Sequence, residues 1–249
     1  MLKIGIIGGS GLDDPDILKN ANELDIETEY GTPSSPVLSG KINDVETVIL
    51  ARHGRNHQYS PTKVNNRANI KALQKAGATH IIATTACGSL RKEIDRGHLV
   101  ILDQFIDFTR FRKNTFADSF ENGPVHTAMA HPFDEGLRKQ LYETAKHLDL
   151  KVHDKGCVVT IEGPRFSTVA ESKMFRMLGA DVINMSIAPE AMLANEAGIP
   201  YAAVAMSTDY DCWKEDEAPV TWDEILSVFN QNADNVKKLL VKAIEELKE

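Results

Sequence analysis

Short runs of apolar, mostly β-branched residues recur along this chain at Ile4–Ile7, Val45–Ala51, His80–Thr84, Leu99–Ile106, Val158–Ile161, Val182–Met185 and Tyr201–Met206. Runs of this length, rich in Val and Ile and often bounded by Gly, Asp or Asn, read as strands. Helical patterns lie between them. Asn66 to Ala76 places Ile70, Leu73 and Ala76 on one face and stops at Gly77. Thr168 with Glu171 and Thr221 with Glu224 have capping-box spacing, and Pro189 suits a first helical turn running to Gly198. The second box opens a long amphipathic helix through Ile225, Val228, Phe229, Val236, Leu239 and Leu240. Such alternation restricts the fold to the α/β class, with a mixed central β-sheet flanked by helices on both faces. No linker or repeat divides the 249 residues, so residues 1–249 read as a single domain. Arg110 to Pro124 is polar and reads as a long surface loop.

Charge removes several functional classes. The chain carries 28 Lys and Arg against 36 Asp and Glu, a net charge of -8, so it has no cationic excess for general nucleic-acid or acidic-membrane binding. No apolar run approaches bilayer length, and the N-terminus turns Gly-rich before a signal-peptide core could form. A soluble, cytoplasmic protein is the expectation. Cys87, Cys157 and Cys212 are far apart without a Cys-x-x-Cys pair, which argues against a disulfide framework or a zinc site.

The chemistry-bearing residues cluster directly after strands, where open α/β sheets bind ligands. Gly8-Gly9-Ser10-Gly11 follows the first strand and serves either an anion or a plain turn. It lacks the dinucleotide glycine fingerprint, because Asp14 stands where the third glycine belongs. Arg52 offers a bidentate fork for phosphate or carboxylate, and His53 beside it adds a donor able to carry charge near neutral pH. His53 and His57 lack the helix and the glutamate of a zinc-protease motif, so metal binding is not expected. Thr84-Thr85-Ala86-Cys87-Gly88-Ser89 presents hydroxyls and amides to an oxyanion; Cys87 reads better as a small buried residue than as a nucleophile. In Glu162-Gly-Pro-Arg165-Phe166-Ser167, Phe166 either stacks on a planar base or staples the following helix. Asp209 and Asp211 alternate on one strand end and face the same way, either as an acid pair or as turn formers.

Taken in order, Ile4-Gly-Ile-Ile-Gly-Gly-Ser-Gly-Leu-Asp-Asp-Pro15, Ala51-Arg-His-Gly-Arg55, Thr84-Thr-Ala-Cys-Gly-Ser-Leu-Arg91, Thr160-Ile-Glu-Gly-Pro-Arg-Phe-Ser167, Gly179-Ala-Asp-Val-Ile-Asn-Met-Ser186 and Thr208-Asp-Tyr-Asp-Cys-Trp213 resemble the purine nucleoside phosphorylase family over nearly the whole chain. The resemblance is strongest to its trimeric branch that cleaves 5′-methylthioadenosine. It implies a nucleoside phosphorylase-like fold and attack of phosphate on the ribosyl C1′ as the purine leaves. It further implies that Ser10, Arg52, His53, Thr85, Ala86 (by its backbone) and Ser186 hold phosphate, and that Met185 lies under the ribose. Phe166, Ser167 and Tyr210 would line the base pocket, with Asp209 at purine N7 and Asp211 at the exocyclic amine as the catalytic pair. Trp222 and Ile225 would wall the 5′ side, and His126 would be lent to a neighbouring subunit's 5′ pocket, which implies a homotrimer.

The resemblance implies no metal and no organic cofactor, inorganic phosphate being a co-substrate. Asp at 209, where the 6-oxopurine enzymes carry Asn, implies 6-aminopurine specificity. A broader purine nucleoside or methylthioinosine phosphorylase is the alternative within the family, and a non-catalytic nucleoside binder the alternative outside it. Ser10 and Ser186 replace the Thr common in the family and keep its hydroxyl. Trp222 stands where the eukaryotic enzymes have a small aliphatic residue, and the chain ends at Glu249, short of their longer tail. Both departures touch the 5′ pocket and leave adenosine open as a second substrate.

Overall fold

A computed structural model describes residues 1–9, 17–121, 123–216 and 221–247, apart from the side chains of Trp222 and Gln231. In chain order the strands are β1 Lys3–Gly8, β2 Lys19–Leu24, β3 Val37–Ile42, β4 Val45–Ala51, β5 His80–Ser89, β6 Leu99–Ile101, β7 Gln104–Phe108, β8 Val152–His153, β9 Cys157–Ile161, β10 Val182–Asn184 and β11 Tyr201–Tyr210. The α-helices are α1 Asn66–Lys75, α2 Glu135–His147, α3 Val169–Met177, α4 Ile187–Glu196 and α5 Trp222–Glu246, and a 3-10 turn spans Pro61–Lys63.

The strands form one mixed sheet organised around β5. One edge of β5 pairs in parallel with β1 over Ile4–Ile7 and then antiparallel with β10 at Gly88 and Ser89. Its other edge runs parallel to β11 along almost its whole length. From there the sheet extends on one side through β4, β3 and β2, and on the other through β9 and β7. Because β1 ends where β10 begins, the two wings part beyond the C-terminal half of β5. The gap so formed holds the site described below.

Period-two alternation divides the core between the two faces of the sheet. Ile7, Val48, Leu50, Ile81 and Ala83 pack with Ile70 and Leu73 of α1 and with Ile187 and Ala191 of α4. Their strand neighbours Ile4, Ile6, Ile49 and Ile82 pack on the opposite side with Leu137 and Leu141 of α2 and Val236 and Leu240 of α5. Helices therefore cover both faces, as the sequence pattern implies. Both capping boxes form: the Thr168 hydroxyl accepts from the Glu171 N–H, and that of Thr221 from the Glu224 N–H. In exchange the two carboxylates accept from the backbone N–H of the capping threonines. Pro189 falls in the first turn of α4.

The structure departs from the sequence reading in three places. Leu99–Ile106 is two strands, not one: β6 ends at Ile101 and pairs with β11 and β8, whereas β7 starts at Gln104 and pairs with β9. A kink at Leu102–Asp103 moves the chain from one wing to the other, fixed by Leu102 N–H to the Ala203 carbonyl and Asp103 N–H to the Gly156 carbonyl. β2 and β3 carry Lys, Asn, Ser and Gly on an exposed or half-buried edge and show little apolar alternation. α2 lies outside the helices expected from the sequence, although its signal is local: Asp134 caps it by accepting from the Leu137 N–H, and Leu137, Leu141 and Ala145 recur every four residues on its buried face. No helix or strand forms among the described residues of 110–124, in line with the expected loop.

Candidate active site

Four strand ends and two loops converge on a cavity of about 530 Å³. Its walls include Arg52 and His53 after β4, Thr84 to Gly88 within β5, Phe166 and Ser167 from the loop after β9, Met185 and Ser186 after β10, Asp209 and Asp211 at the end of β11, and Ile225 with Phe229 of α5. Residues far apart in sequence meet there because parallel strands bring their C-terminal ends to one edge of the sheet.

One end of the cavity is rich in hydroxyls. Thr85 Oγ1 lies 3.2 Å from Ser186 Oγ, and the Asn184 amide donates to Thr85 Oγ1 at 3.3 Å. Asn184 is held by Thr160, whose hydroxyl donates to its Oδ1 at 2.8 Å. Ser186 is the N-cap of α4, so the positive end of that helix dipole lies at the same place. Thr84 Oγ1 is buried and makes no hydrogen bond within the described protein. Hydroxyls, amides and a helix N-terminus together favour an oxyanion.

Arg52 approaches this end from behind. Its side chain is 2% exposed and paired with the fully buried Glu190 of α4. Nε donates to Glu190 Oε1 at 2.5 Å and Nη2 to Oε2 at 3.1 Å, while Nη1 donates to the Thr84 carbonyl at 2.9 Å. The Tyr201 hydroxyl donates to Glu190 Oε2 at 2.9 Å. Glu190 therefore offsets the Arg52 charge, and an anion here meets directional donors with little net positive charge.

His53 differs from the cationic donor expected of it. Burial, with the Arg52 charge adding to it, lowers its pKa to about 4, against a partial restoring pull from the Tyr59 carbonyl. Its ring is neutral at pH 7. Nδ1 lies 2.8 Å from the Tyr59 carbonyl, which only accepts, so Nδ1 carries the proton and Nε2 presents a lone pair. The ring stacks on His57 with centroids 4.5 Å apart.

The opposite end carries the two aspartates, which a β-bulge brings into place. Ser207 pairs with Cys87 and Asp209 with Gly88, so Thr208 is the extra residue on β11. A bulge re-aims the residues beyond it. Here it lets Thr208, Asp209 and Asp211 all line the cavity. Thr208 Oγ1 lies 2.8 Å from Asp209 Oδ1. Gly88 lies opposite, where a Cβ would be 3.0 Å from Ile183 Cγ2 and 3.2 Å from Asp209 Oδ2, so any side chain there would press both by a few tenths of an ångström. Burial pushes the Asp211 carboxyl up, while the Ser172 hydroxyl, the Cys212 N–H and the Ser167 hydroxyl pull it down. The two hydroxyls are near enough to exert that pull but are not aligned on it: Asp211 Oδ2, Ser167 Oγ and Ser172 Oγ are all buried without a hydrogen-bond partner in the described protein. Unsatisfied buried polar atoms are uncommon and call for a partner. In this cavity the fitting partner is a ligand that donates to a carboxylate.

Some expected site residues fall elsewhere. Tyr210 does not line the cavity: alternation turns it away from Asp209 and Asp211, and its hydroxyl lies 3.0 Å from the Lys92 carbonyl. His126 sits on the exposed segment before α2, outside this chain's own cavity, with its ring edge-on to Phe120 at 5.7 Å. Ser10 lies outside the described residues, and of Trp222 only the backbone, opening α5, is described. Cys87 is buried, and burial holds its thiol well above the usual range, which disfavours the thiolate that a nucleophile needs. Sequence reasoning gave no role to Glu190, Thr208 or Asn184, the last two being named only within the segments ending at Trp213 and Ser186. Of these, Asn184 had a signal, since it precedes two assigned neighbours at a strand end. Among the described residues no cluster of His, Cys, Asp and Glu is placed to hold a metal ion, and no helix is long and apolar enough to cross a membrane.

The model of the Phosphorylase superfamily matches residues 3–245. The chain belongs to that superfamily. Within it, the chain is 54% identical over 250 residues to S-methyl-5′-thioadenosine phosphorylase of Xenopus tropicalis, covering 99% of this chain and 89% of the relative. It is 53% identical over 249 residues to the protein of that name from Danio rerio, with the same coverage. Among solved superfamily structures, methylthioadenosine phosphorylase from Schistosoma mansoni in complex with adenine superposes with a TM-score of 0.95 at 40% identity, covering 100% of this chain and 92% of that one. A mutant of the adenosine/methylthioadenosine phosphorylase of that organism, in complex with methylthioadenosine, gives 0.94 at 39% identity, with the same coverage.

Proposed function

We propose that this chain catalyses phosphorolysis of S-methyl-5′-thioadenosine to adenine and 5-methylthioribose 1-phosphate, as a pentosyltransferase of purine and methionine salvage. The observation that carries the choice of substrate is the buried, hydrogen-bond-deficient Asp211 Oδ2 beside Asp209 at the end of β11. A 6-aminopurine brings a donor to that oxygen, and a 6-oxopurine brings a second acceptor. A buried polar mismatch of this kind discriminates by ~10⁴ or more where a site is built around it.

The mechanism follows from the two ends of the cavity. Phosphate sits among Ser10, Thr85, the Ala86 backbone, Ser186, His53 and Arg52. The His53 Nε2 lone pair accepts a hydrogen bond from the P–OH of hydrogenphosphate, which keeps its proton, and Glu190 keeps Arg52 from over-stabilising the nucleophile. A phosphate oxygen forms the bond to C1′ as the C1′–N9 bond breaks, and its electron pair passes into the purine. Asp209 donates a proton at N7, so adenine leaves neutral; such a donor contributes ~10²–10⁴ in rate. Phe166 and Ser167 flank the base, Met185 underlies the ribose, and Ile225 with Trp222 borders the 5′ group. The balance needs no metal or organic cofactor.

Residues 1–249 act as one nucleoside phosphorylase domain in this reading. A homotrimer in the cytoplasm, with His126 completing the 5′ pocket of a neighbouring subunit, is part of the same proposal. Exposure of Phe111 at 75%, Phe120 at 54% and Val125 at 51%, on the segment that carries His126, supports an interface there.

The test is adenine release from methylthioadenosine with and without phosphate, beside adenosine, inosine and methylthioinosine. Phosphate-dependent release, fastest with methylthioadenosine, is the expected result. A preference for an oxopurine would overturn the Asp211 argument.

A further inference from the structure

Glu162 and Arg112 form a partly buried ion pair outside the residues assigned so far, and together they tie down the walls that would meet the nucleoside. Arg112 is 2% exposed in its side chain and Glu162 18%. Arg112 Nε donates to Glu162 Oε1 at 2.9 Å, and Nη2 donates to the Glu162 backbone carbonyl at 2.7 Å. Nη1 reaches across to the Met185 carbonyl at 3.0 Å. The Glu162 carboxylate also accepts from the Arg110 N–H at 2.7 Å, the Phe111 N–H at 3.2 Å and the Thr62 hydroxyl. Burial would raise the Glu162 pKa, but these donors outweigh it and lower the pKa to about 2.

Each of these segments leads to the cavity. Thr62 lies in the 3-10 turn just beyond Tyr59, Ser60 and Pro61, all of which line it. Glu162 is followed by Pro164, Phe166 and Ser167, which line its base end. Met185 lines it between the hydroxyl cluster and the base loop, and is bound to the pair by its carbonyl. The two walls also interlock directly: Gly163 has φ 67°, and a Cβ there would fall on Met185 Sδ. The side-chain hydrogen bonds of Arg112 go to Glu162 and the Met185 carbonyl rather than to Thr85 or Ser186, and its charge, which adds slightly to the lowering of the His53 pKa, is kept in a lysine.

We propose that Glu162 and Arg112 are positioning residues for the nucleoside half of the site, holding the Met185 wall, the Phe166 loop and the 59–61 wall in one register. This rests on the reading that Met185 and Phe166 contact the nucleoside. A planar guanidinium is needed because its fork serves a carboxylate and two backbone carbonyls at once, which an ammonium on a flexible stem does not reproduce.

The test is steady-state kinetics of Arg112→Lys and Glu162→Gln against the parent, varying methylthioadenosine and phosphate separately, with melting temperatures of all three proteins. Arg112→Lys keeps the charge that balances Glu162 and loses the fork. The expected result is a rise of ~10-fold or more in KM for the nucleoside, with KM for phosphate within about twofold. Misplacement of a substrate-facing wall by about 1 Å costs up to ~10²-fold. A fall in melting temperature with both KM values unchanged, or raised in the same ratio, would show a structural tie only and overturn the proposal. If Glu162→Gln does not fold, Thr62→Val replaces it, removing one donor to Glu162 with a smaller rise in nucleoside KM expected. A parent protein that releases no adenine from methylthioadenosine would instead sink the proposed function.

Discussion

Replacing Glu190 by Ala leaves the Arg52 guanidinium buried without its counter-ion, since the two side chains are 2% and 0% exposed. The Nε and Nη2 donors and the Tyr201 hydroxyl lose their acceptor together. Breaking a buried pair by removing one partner costs about 3–5 kcal/mol, and an orphaned hydroxyl adds about 1 kcal/mol. For a chain of this size each kcal/mol is about 2–4 °C of Tm, so Glu190→Ala should melt roughly 10–20 °C lower. The assay is thermal unfolding followed by circular dichroism in phosphate-free buffer. Two further measurements separate charge from volume. The double variant Arg52→Met, Glu190→Met removes both charges and should recover most of the loss, because matched apolar replacement of a buried pair is often near neutral. Phosphate should raise the Tm of Glu190→Ala by more than it raises that of the parent, because the bound anion supplies the missing negative charge. A loss in Glu190→Ala below about 1 kcal/mol, or one that the double variant equals, would refute the reasoning.

Further outcomes follow from the same geometry. Asp209→Asn should lower kcat for methylthioadenosine by ~10²–10⁴ while leaving KM for phosphate within a few-fold; unchanged kcat would remove Asp209 as proton donor. His53 has a folded pKa of about 4 against 6.5 unperturbed, so the unfolded chain takes up a proton first as pH falls. The stability its burial provides is whole above pH 6.5 and declines by about 1.4 kcal/mol per unit down to pH 4. Urea midpoints at pH 7 and pH 5 should therefore converge in His53→Gln, and an equal drop in both proteins would contradict this. Gly88→Ala should cut kcat roughly tenfold by crowding Asp209 Oδ2, read by turnover at saturating substrates, and full activity would show that the carboxylate has room to yield.

How much of this was legible in the sequence depends on the range of the signal. The capping boxes at Thr168 and Thr221 are local, and both formed as read. The runs that became β4, β5 and β11 sit in the middle of the sheet, buried on both faces, so composition alone marks them. β2 is an exposed edge strand of Lys, Asn and Glu whose pairing with β3 comes from backbone hydrogen bonds, which leave no side-chain pattern. The kink at Leu102 was hidden because apolar residues continue through it, although the backbone changes partners there. In the site, residues next to strand ends were readable one segment at a time. Glu190 and Arg112 were not, because their partners lie 138 and 50 residues away. The Thr208 bulge is likewise a property of the pairing with β5, invisible in either strand alone. Tyr210 was included with its neighbours although strand alternation already sets it apart from Asp209 and Asp211.

The central claim is that one cavity holds phosphate at its hydroxyl end and a 6-aminopurine at its aspartate end, and joins the first to C1′. Phosphorus NMR of the parent protein with methylthioadenosine and inorganic phosphate tests it most directly. Phosphorolysis requires loss of inorganic phosphate and growth of a sugar 1-phosphate signal, one for each adenine released. Adenine appearing while inorganic phosphate stays constant would mean that water is the nucleophile, and would contradict the assignment of the hydroxyl end.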